Sequence, residues 1–195
     1  MSIFRKKKEP IFHMDEIEID TLPRVKVAVF DRMSREPEQE ASEMAKQWLA
    51  GRGLTPDCPG VRLLGFDNYD PDEMIDNRRR YMFYVTLPPE LDTDNDNNVK
   101  MFNGGRYAKL MIEDPFTGDF PSGWDKLIGW AKKHGYTATH LCKWAGKLGR
   151  CWHSTEEKPK RCGGTCWCSC EQTPCFEEIV DRDGVRYMDF YLPIL

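Results

Sequence analysis

Four cysteines crowd into nine residues, CGGTCWCSC at 162–170, inside a segment (142–175) that holds seven of the chain's eight cysteines. Thiolates bind metals and attack electrophiles, so the patch is the first place to look for chemistry. Cys162, Cys166, Cys168 and Cys170 are the candidate metal ligands. Cys142, Cys151, His153 and Cys175 raise the supply above the four that tetrahedral zinc takes. The paired C-x2-C knuckles of common zinc sites are absent, so two readings stand side by side. One is a structural zinc; the other is a mobile or disulfide-linked lid. A catalytic thiol ranks behind both, and nothing in the pattern requires a cofactor.

A second set is dispersed along the chain: Asp67, Tyr69, Tyr84, Tyr107, Glu177, Tyr187, Asp189 and Tyr191. Phenol rings offer faces to cations and flat molecules, and carboxylates offer the countercharge. Whether these residues meet depends on the elements that carry them, and those elements occur twice. The first half runs PRVKVAVF (23–30), REPEQEASEMAKQWLAGRGL (35–54), LLGFDNYDP (63–71) and RRYMFYVTLPP (79–89). The second runs GRYAKLMI (105–112), DFPSGWDKLIGWAKKHGY (119–136), PCFEEIVDR (174–182) and VRYMDFYLPIL (185–195). Each half reads strand, helix, strand, strand.

Ala41, Met44, Ala45, Trp48 and Leu49 share one helix face, as do Trp124, Leu127, Ile128 and Ala131. Each helix ends at a glycine five residues past a tryptophan (Trp48 to Gly53, Trp130 to Gly135), which predicts left-handed C-caps. Pro37 and Pro121 sit near the two starts, where a missing N–H costs nothing. DTDNDNN at 92–98 joins the halves. It fails as a calcium loop, because Asn97 and Asn103 stand where an EF-hand starting at Asp92 needs Gly and Glu. From glycine cap to third-strand phenylalanine the second half is longer by roughly 28 residues, an insertion that places the cysteines outside the shared unit.

The segments GGRYAKLMI, WDKLIGWAKKHGY, CFEEI and YMDFYLPI, in that order, resemble the GyrI-like small-molecule-binding domain of the SOUL/GyrI superfamily. The resemblance implies an α+β fold: duplicated strand-helix-strand-strand units forming one curved antiparallel sheet, with two helices on its convex face and a ligand cleft on its concave face. It implies a tail over 1–13 and a single free-standing domain over 14–195. That domain divides into a first half 14–91, a linker 92–98 and a second half 99–195 carrying the insertion at about 137–173. It further implies hydrophobic, cationic or aromatic small molecules as ligands, with Glu177, Tyr107 and Tyr191 matching cleft positions. Some members hydrolyse cyclopropane-bearing electrophilic toxins, which implies Glu177 and Tyr191 as the catalytic pair if this chain is an enzyme. Haem, suggested by the SOUL relation, finds no ligand pattern among His13, His134, His140 and His153.

Strand alternation then sorts the side chains. Met188, Phe190 and Leu192, with Phe83, Val85 and Leu87 and with Ala108, Leu110 and Ile112, suit the helix-covered face. Phe176 is read with them, which sends Glu177 to the open face along with Asp67, Tyr69, Tyr84, Tyr107, Tyr187, Asp189 and Tyr191. A register slip of one would exchange Glu177 and Glu178. Trp124 starts the second helix and reaches either the cleft rim or the core. With a formal charge of −4 and one short basic run, RKKK at 5–8, direct nucleic-acid binding is not expected. No apolar run approaches membrane-spanning length, and no cleavable signal follows the basic residues, so the expected location is the cytoplasm. Ser-His-Asp order, HExxH and a phosphate loop are all missing. A protein partner remains open.

Overall fold

The computed structural model describes residues 11–13, 16–67, 76–93, 96–113, 120–136 and 174–194. Tyr69 and the cysteines 142, 151, 162, 166, 168 and 170 lie outside them. The strands are β1 (Ile11–Phe12), β2 (Glu18–Leu22), β3 (Val25–Ser34), β4 (Leu63–Asp67), β5 (Arg79–Thr86), β6 (Val99–Phe102), β7 (Gly105–Glu113), β8 (Phe176–Arg182) and β9 (Val185–Pro193). The helices are α1 (Pro37–Ala50) and α2 (Phe120–Lys133). The duplication is present as β3-α1-β4-β5 and β7-α2-β8-β9, and both units join one antiparallel sheet in the order β1-β7-β9-β8-β4-β5-β3-β6. The fold is α+β, with the halves meeting where Gly65 of β4 faces Glu177 of β8.

The helix ends follow from their sequences. Gly53 and Gly135 take φ of +70° and +77°. Beyond them Leu54 N–H donates to the Leu49 carbonyl at 3.0 Å and Tyr136 N–H to the Ala131 carbonyl at 2.9 Å, the wrapped C-cap that a left-handed glycine permits. Pro37 opens α1 at a position with no N–H to lose. Each helix buries its apolar stripe on the same face of the sheet. Ala41, Ala45 and Leu49 cover Ala28, Phe30, Val85 and Leu87, while Trp124, Leu127 and Ala131 cover Ala108, Leu110, Ile112 and Phe190.

Strands β2 and β6 have no counterpart in the sequence reading, and they change what the other face is. β2 pairs with β7 from Glu18↔Lys109 to Leu22↔Gly105, and β3 pairs with β6 from Val25↔Phe102 to Ala28↔Val99. Two residues lie between Leu22 and Val25 and two between Phe102 and Gly105, so the two ladders are one antiparallel ribbon in a single register. That ribbon connects the β3 side of the sheet to the β7 side and curls the helix-free face closed. Inside lie Leu22, Val27, Leu64, Phe66, Met82, Tyr84, Phe102, Tyr107, Phe176 and Tyr191, all buried. Phe176 is at the centre, with ring centroids of Phe66, Tyr84, Phe102 and Tyr107 at 5.5–5.9 Å. The concave trough expected from the sequence is, over these residues, a second core made of rings.

Truncating the central ring tests that assignment. Phe176→Ala should lower unfolding free energy by about 3–5 kcal/mol in urea titrations. A loss near that of an exposed aromatic would show the inner face to be loosely filled.

Candidate functional site

The structure divides the site residues expected from the sequence between the two faces. Phe176 pairs with Tyr191, Glu177 with Phe190 and Glu178 with Asp189. Partners across a ladder share a face, so Phe176, Glu178, Asp189 and Tyr191 point inward, and Glu177 points to the helices. β4 carries the same phase, with Phe66 opposite Met82 on the inner face and Asp67 opposite Tyr81 on the helix face. Glu177 and Tyr191 therefore stand on opposite sides of the sheet and cannot form one catalytic pair. Glu177 and Asp67 leave the set of inner-face residues; Tyr84, Tyr107, Tyr187 and Tyr191 remain in it.

On the inner face the acids already hold cations of the chain. Arg62 Nε and Nη2 donate to Glu178 Oε1 and Oε2 at 2.9 and 2.6 Å, and Nη2 also donates to Tyr191 Oη at 2.8 Å. This bidentate pair, with the phenol as a third partner, leaves the Glu178 carboxylate well satisfied. Asp189 Oδ2 takes Lys109 Nζ at 3.3 Å and Arg182 Nη2 at 3.0 Å. Burial still pushes the Asp189 carboxyl up, with the two cations opposing the shift. Asp189 Oδ1 and Tyr107 Oη are buried with no hydrogen-bond partner among the described residues. The Tyr107 and Tyr191 phenols are both pushed above the ordinary tyrosine range, chiefly by burial. Tyr187 is half-buried at the rim, with the Arg182 guanidinium 5.7 Å from its ring.

The helix face carries the other group. Glu177 Oε1 accepts the Trp124 indole N–H at 3.0 Å, and Oε2 accepts the Tyr81 hydroxyl at 3.2 Å. Trp124 is held by a parallel stack on Phe190, centroids 4.5 Å apart and 15° between planes. Gly123 makes that contact attainable. A methyl group there would lie 2.4 Å from Phe190 Cε2 and 2.6 Å from Ile112 Cδ1, so glycine lets the start of α2 rest directly on the sheet. Tyr81 leans along β5 with its ring edge on Phe83, centroids 5.2 Å apart. Asp67 and Glu38 of α1 flank the group, both ion-paired with Arg79, which lies 3.9 Å from Asp67. Asp67, Trp124 and Glu177 are thus brought together, while Tyr81, Arg79 and Glu38 were missed. Tyr81 shares strand parity with Phe83, Val85 and Leu87, so its position under the helices was open to reading.

Among the described residues no cation pairs with Glu177. Burial raises its carboxyl from the ordinary range to about 7; Asp67 and Glu38 push the same way, and the Trp124 and Tyr81 donors oppose them. A carboxyl set this way changes charge near neutrality. It can receive a cation or exchange a proton with a bound molecule. The described residues contain no cluster of three or more His, Cys, Asp or Glu side chains suited to a metal. No described helix is long and apolar enough to cross a membrane.

A duplicated two-helix sheet with an acid and aromatic rings on its helix-covered face is a frame that can accommodate a small molecule. The chain belongs to the family of GyrI-like small molecule binding domains, which matches residues 15–143 and so ends before Glu177. Among solved structures the chain is similar to the C-terminal domain of EcmrR, at TM-score 0.54 and 9% identity, covering 92% of this chain and 97% of that one. It is also similar to EcmrR in its DNA complex, at 0.52 and 10%, covering 92% and 57%. A hydrolase from Listeria innocua is similar at 0.50 and 10%, covering 98% and 94%. At these identities the likeness is one of fold. No curated protein matches the chain.

Two measurements check the site. Gly123→Ala should cost about 1–3 kcal/mol of stability through overpacking and should weaken the Trp124 contact, seen as a red-shifted tryptophan emission. The pH dependence follows from the raised Glu177 pKa. Its neutral form is favoured on folding, so the contribution is complete below about pH 4.5 and lost as pH rises through about 7. Relative to Glu177→Gln, the parent chain should lose on the order of 3 kcal/mol between those limits, at about 1.4 kcal/mol per pKa unit. Parallel stability profiles for the two proteins would contradict the assignment.

Proposed function

We propose that the chain binds hydrophobic small molecules carrying positive charge or a flat aromatic body, and that it holds them between the helices against Glu177. The observation behind this is the half-buried Glu177 carboxyl, which has two neutral donors and no cation partner among the described residues. An arriving cation restores the charge that burial disfavours, and ring faces around it add about 0.5–2 kcal/mol per contact. The inner face suits this role less well, because Arg62, Lys109 and Arg182 already occupy its acids. The family's small-molecule binding supports the same reading.

Calorimetry with ethidium, a planar lipophilic cation, tests it. Binding should strengthen as pH rises through 7 and level off above about 8. Below 7 it should weaken by up to tenfold per unit, as the Glu177 proton competes with the cation. Glu177→Gln should lower affinity at least tenfold at pH 8 and flatten the profile. Affinity unchanged in the glutamine variant would place the ligand elsewhere.

A second reading, hydrolysis of a strained electrophile, is favoured by one geometric fact: a phenol lies 3.2 Å from a carboxyl that titrates near 7. Ionised Glu177 would take a proton from water as the water oxygen bonds to the strained carbon. The ring bond would break toward a conjugated carbonyl, whose oxygen the Tyr81 hydroxyl would protonate as Glu177 passes the proton taken from water on to Tyr81, restoring both groups. Tyr81 takes the place assigned to Tyr191 from the sequence. Loss of a cyclopropane chromophore catalysed by the parent chain and not by Glu177→Gln would establish this chemistry; stoichiometric binding without turnover would dismiss it.

A further inference from the structure

The Glu177 carboxylate has two oxygens, and each is taken by a donor from a different element. Each oxygen can accept a second bond, so what a ligand's ring needs beside this acid is the space that one donor or the other fills. The two are held very differently. Trp124 lies in a helix, stacked flat on Phe190 at 4.5 Å, over a glycine whose every neighbour is packed core. Tyr81 is also buried, 6% exposed, but its phenol rests on bare backbone. A methyl group on Gly65 would sit 2.2 Å from Tyr81 Oη and 2.8 Å from Cε1 and Cζ, so the hydroxyl end of the ring fills the space that any side chain at 65 would need. Gly65 faces Glu177 across the seam between the halves. The recess over Gly65 is therefore the floor beside the acid, and Tyr81 lies in it. Its other ring contact in the described structure is an edge-on meeting with Phe83 at 5.2 Å.

We infer that Tyr81 is the gate of this site: in the ligand-free chain its phenol occupies the recess over Gly65 beside Glu177, and a ligand's ring enters by turning it out. The inference rests on the proposed binding function and adds to it the residue that controls access. Tyr81 acts as a built-in occupant, supplying an aromatic face and a hydrogen bond where the ligand supplies a face and a charge. Rotation about its side-chain bonds exchanges one for the other, and Gly65 lets the closed position exist. Trp124 stays in place and forms the fixed wall. Association that waits on such a rotation is slower than encounter alone, and removing the gate should show in the on-rate.

Stopped-flow fluorescence with ethidium at pH 8 on the full chain tests the gate. The expected order of association rates is parent, then Tyr81→Phe, which keeps the ring and loses the hydrogen bond, then Tyr81→Ala at tenfold or more above the parent. Gly65→Ala, which pushes the phenol out of the recess and leaves tyrosine in the chain, should accelerate association as well. It carries the test if the alanine variant at 81 does not fold. Equal association rates in all variants, while Glu177→Gln still lowers affinity at least tenfold, would overturn the gate and leave the binding site standing. Loss of binding in Tyr81→Ala and Gly65→Ala alike would make Tyr81 a permanent wall of the site, which also overturns it. Failure of the parent chain to bind ethidium, or full binding by Glu177→Gln, would remove the site reading itself.

Discussion

A carboxylic acid half withdrawn from water at the junction of two repeated units is the constraint around which this molecule is arranged. The junction is narrow, with Gly65 facing Glu177, and it has helices on one side and a ring-filled core on the other. An acid there cannot be solvated in the ordinary way, so its oxygens are given an indole and a phenol. Those donors satisfy geometry without supplying charge, and the proton stays on until about pH 7. The close seating of α2 on the sheet at Gly123 and of Tyr81 on Gly65 can both be traced to reaching this one group.

The adjacent residue shows the contrast. Glu178 lies one position along the same strand and therefore on the other face. There it meets an arginine in bidentate contact, and Arg62 is held above its ordinary pKa mainly by that hydrogen bond. One strand thus carries two acids back to back, a buried one neutralised by a partner and a half-buried one by its own proton. Only the second has something to gain from a cation brought from outside, and that asymmetry separates a structural carboxylate from a binding one.

The duplication, the two helices with their glycine caps, and the side-chain parity of β5, β7 and β9 are matters of local pattern, and local pattern suffices for them. Tyr84, Tyr107, Tyr187 and Tyr191 were placed on the helix-free face for the same reason. What failed was β8 and β4, and the cause is physical. Alternation says which residues share a face but not which face is which. Phe176 goes toward the helices only if the helix-covered side is the sole apolar one. The β2–β3 and β6–β7 ribbon makes the opposite side apolar too, so Phe66 and Phe176 go inward and the acids after them go to the helices. Nothing in EIDTL or VKMF announces a partner some eighty residues away, because strand pairing over such distances leaves no local trace. The repeated aromatic-acid step, Phe66-Asp67 and Phe176-Glu177, was the available clue that both halves share one phase.

That ribbon also bears on how the two units are tied. β2 precedes the first unit and completes the second, whereas β6 follows the first unit's last strand and completes the first unit's edge. Each repeat borrows its outermost strand from across the boundary, so the pair is interlocked like clasped hands. Severing the chain in the 92–98 connection would leave two fragments, each missing a strand carried by the other. The two units repeat one pattern, and the described strands of each are woven into the other.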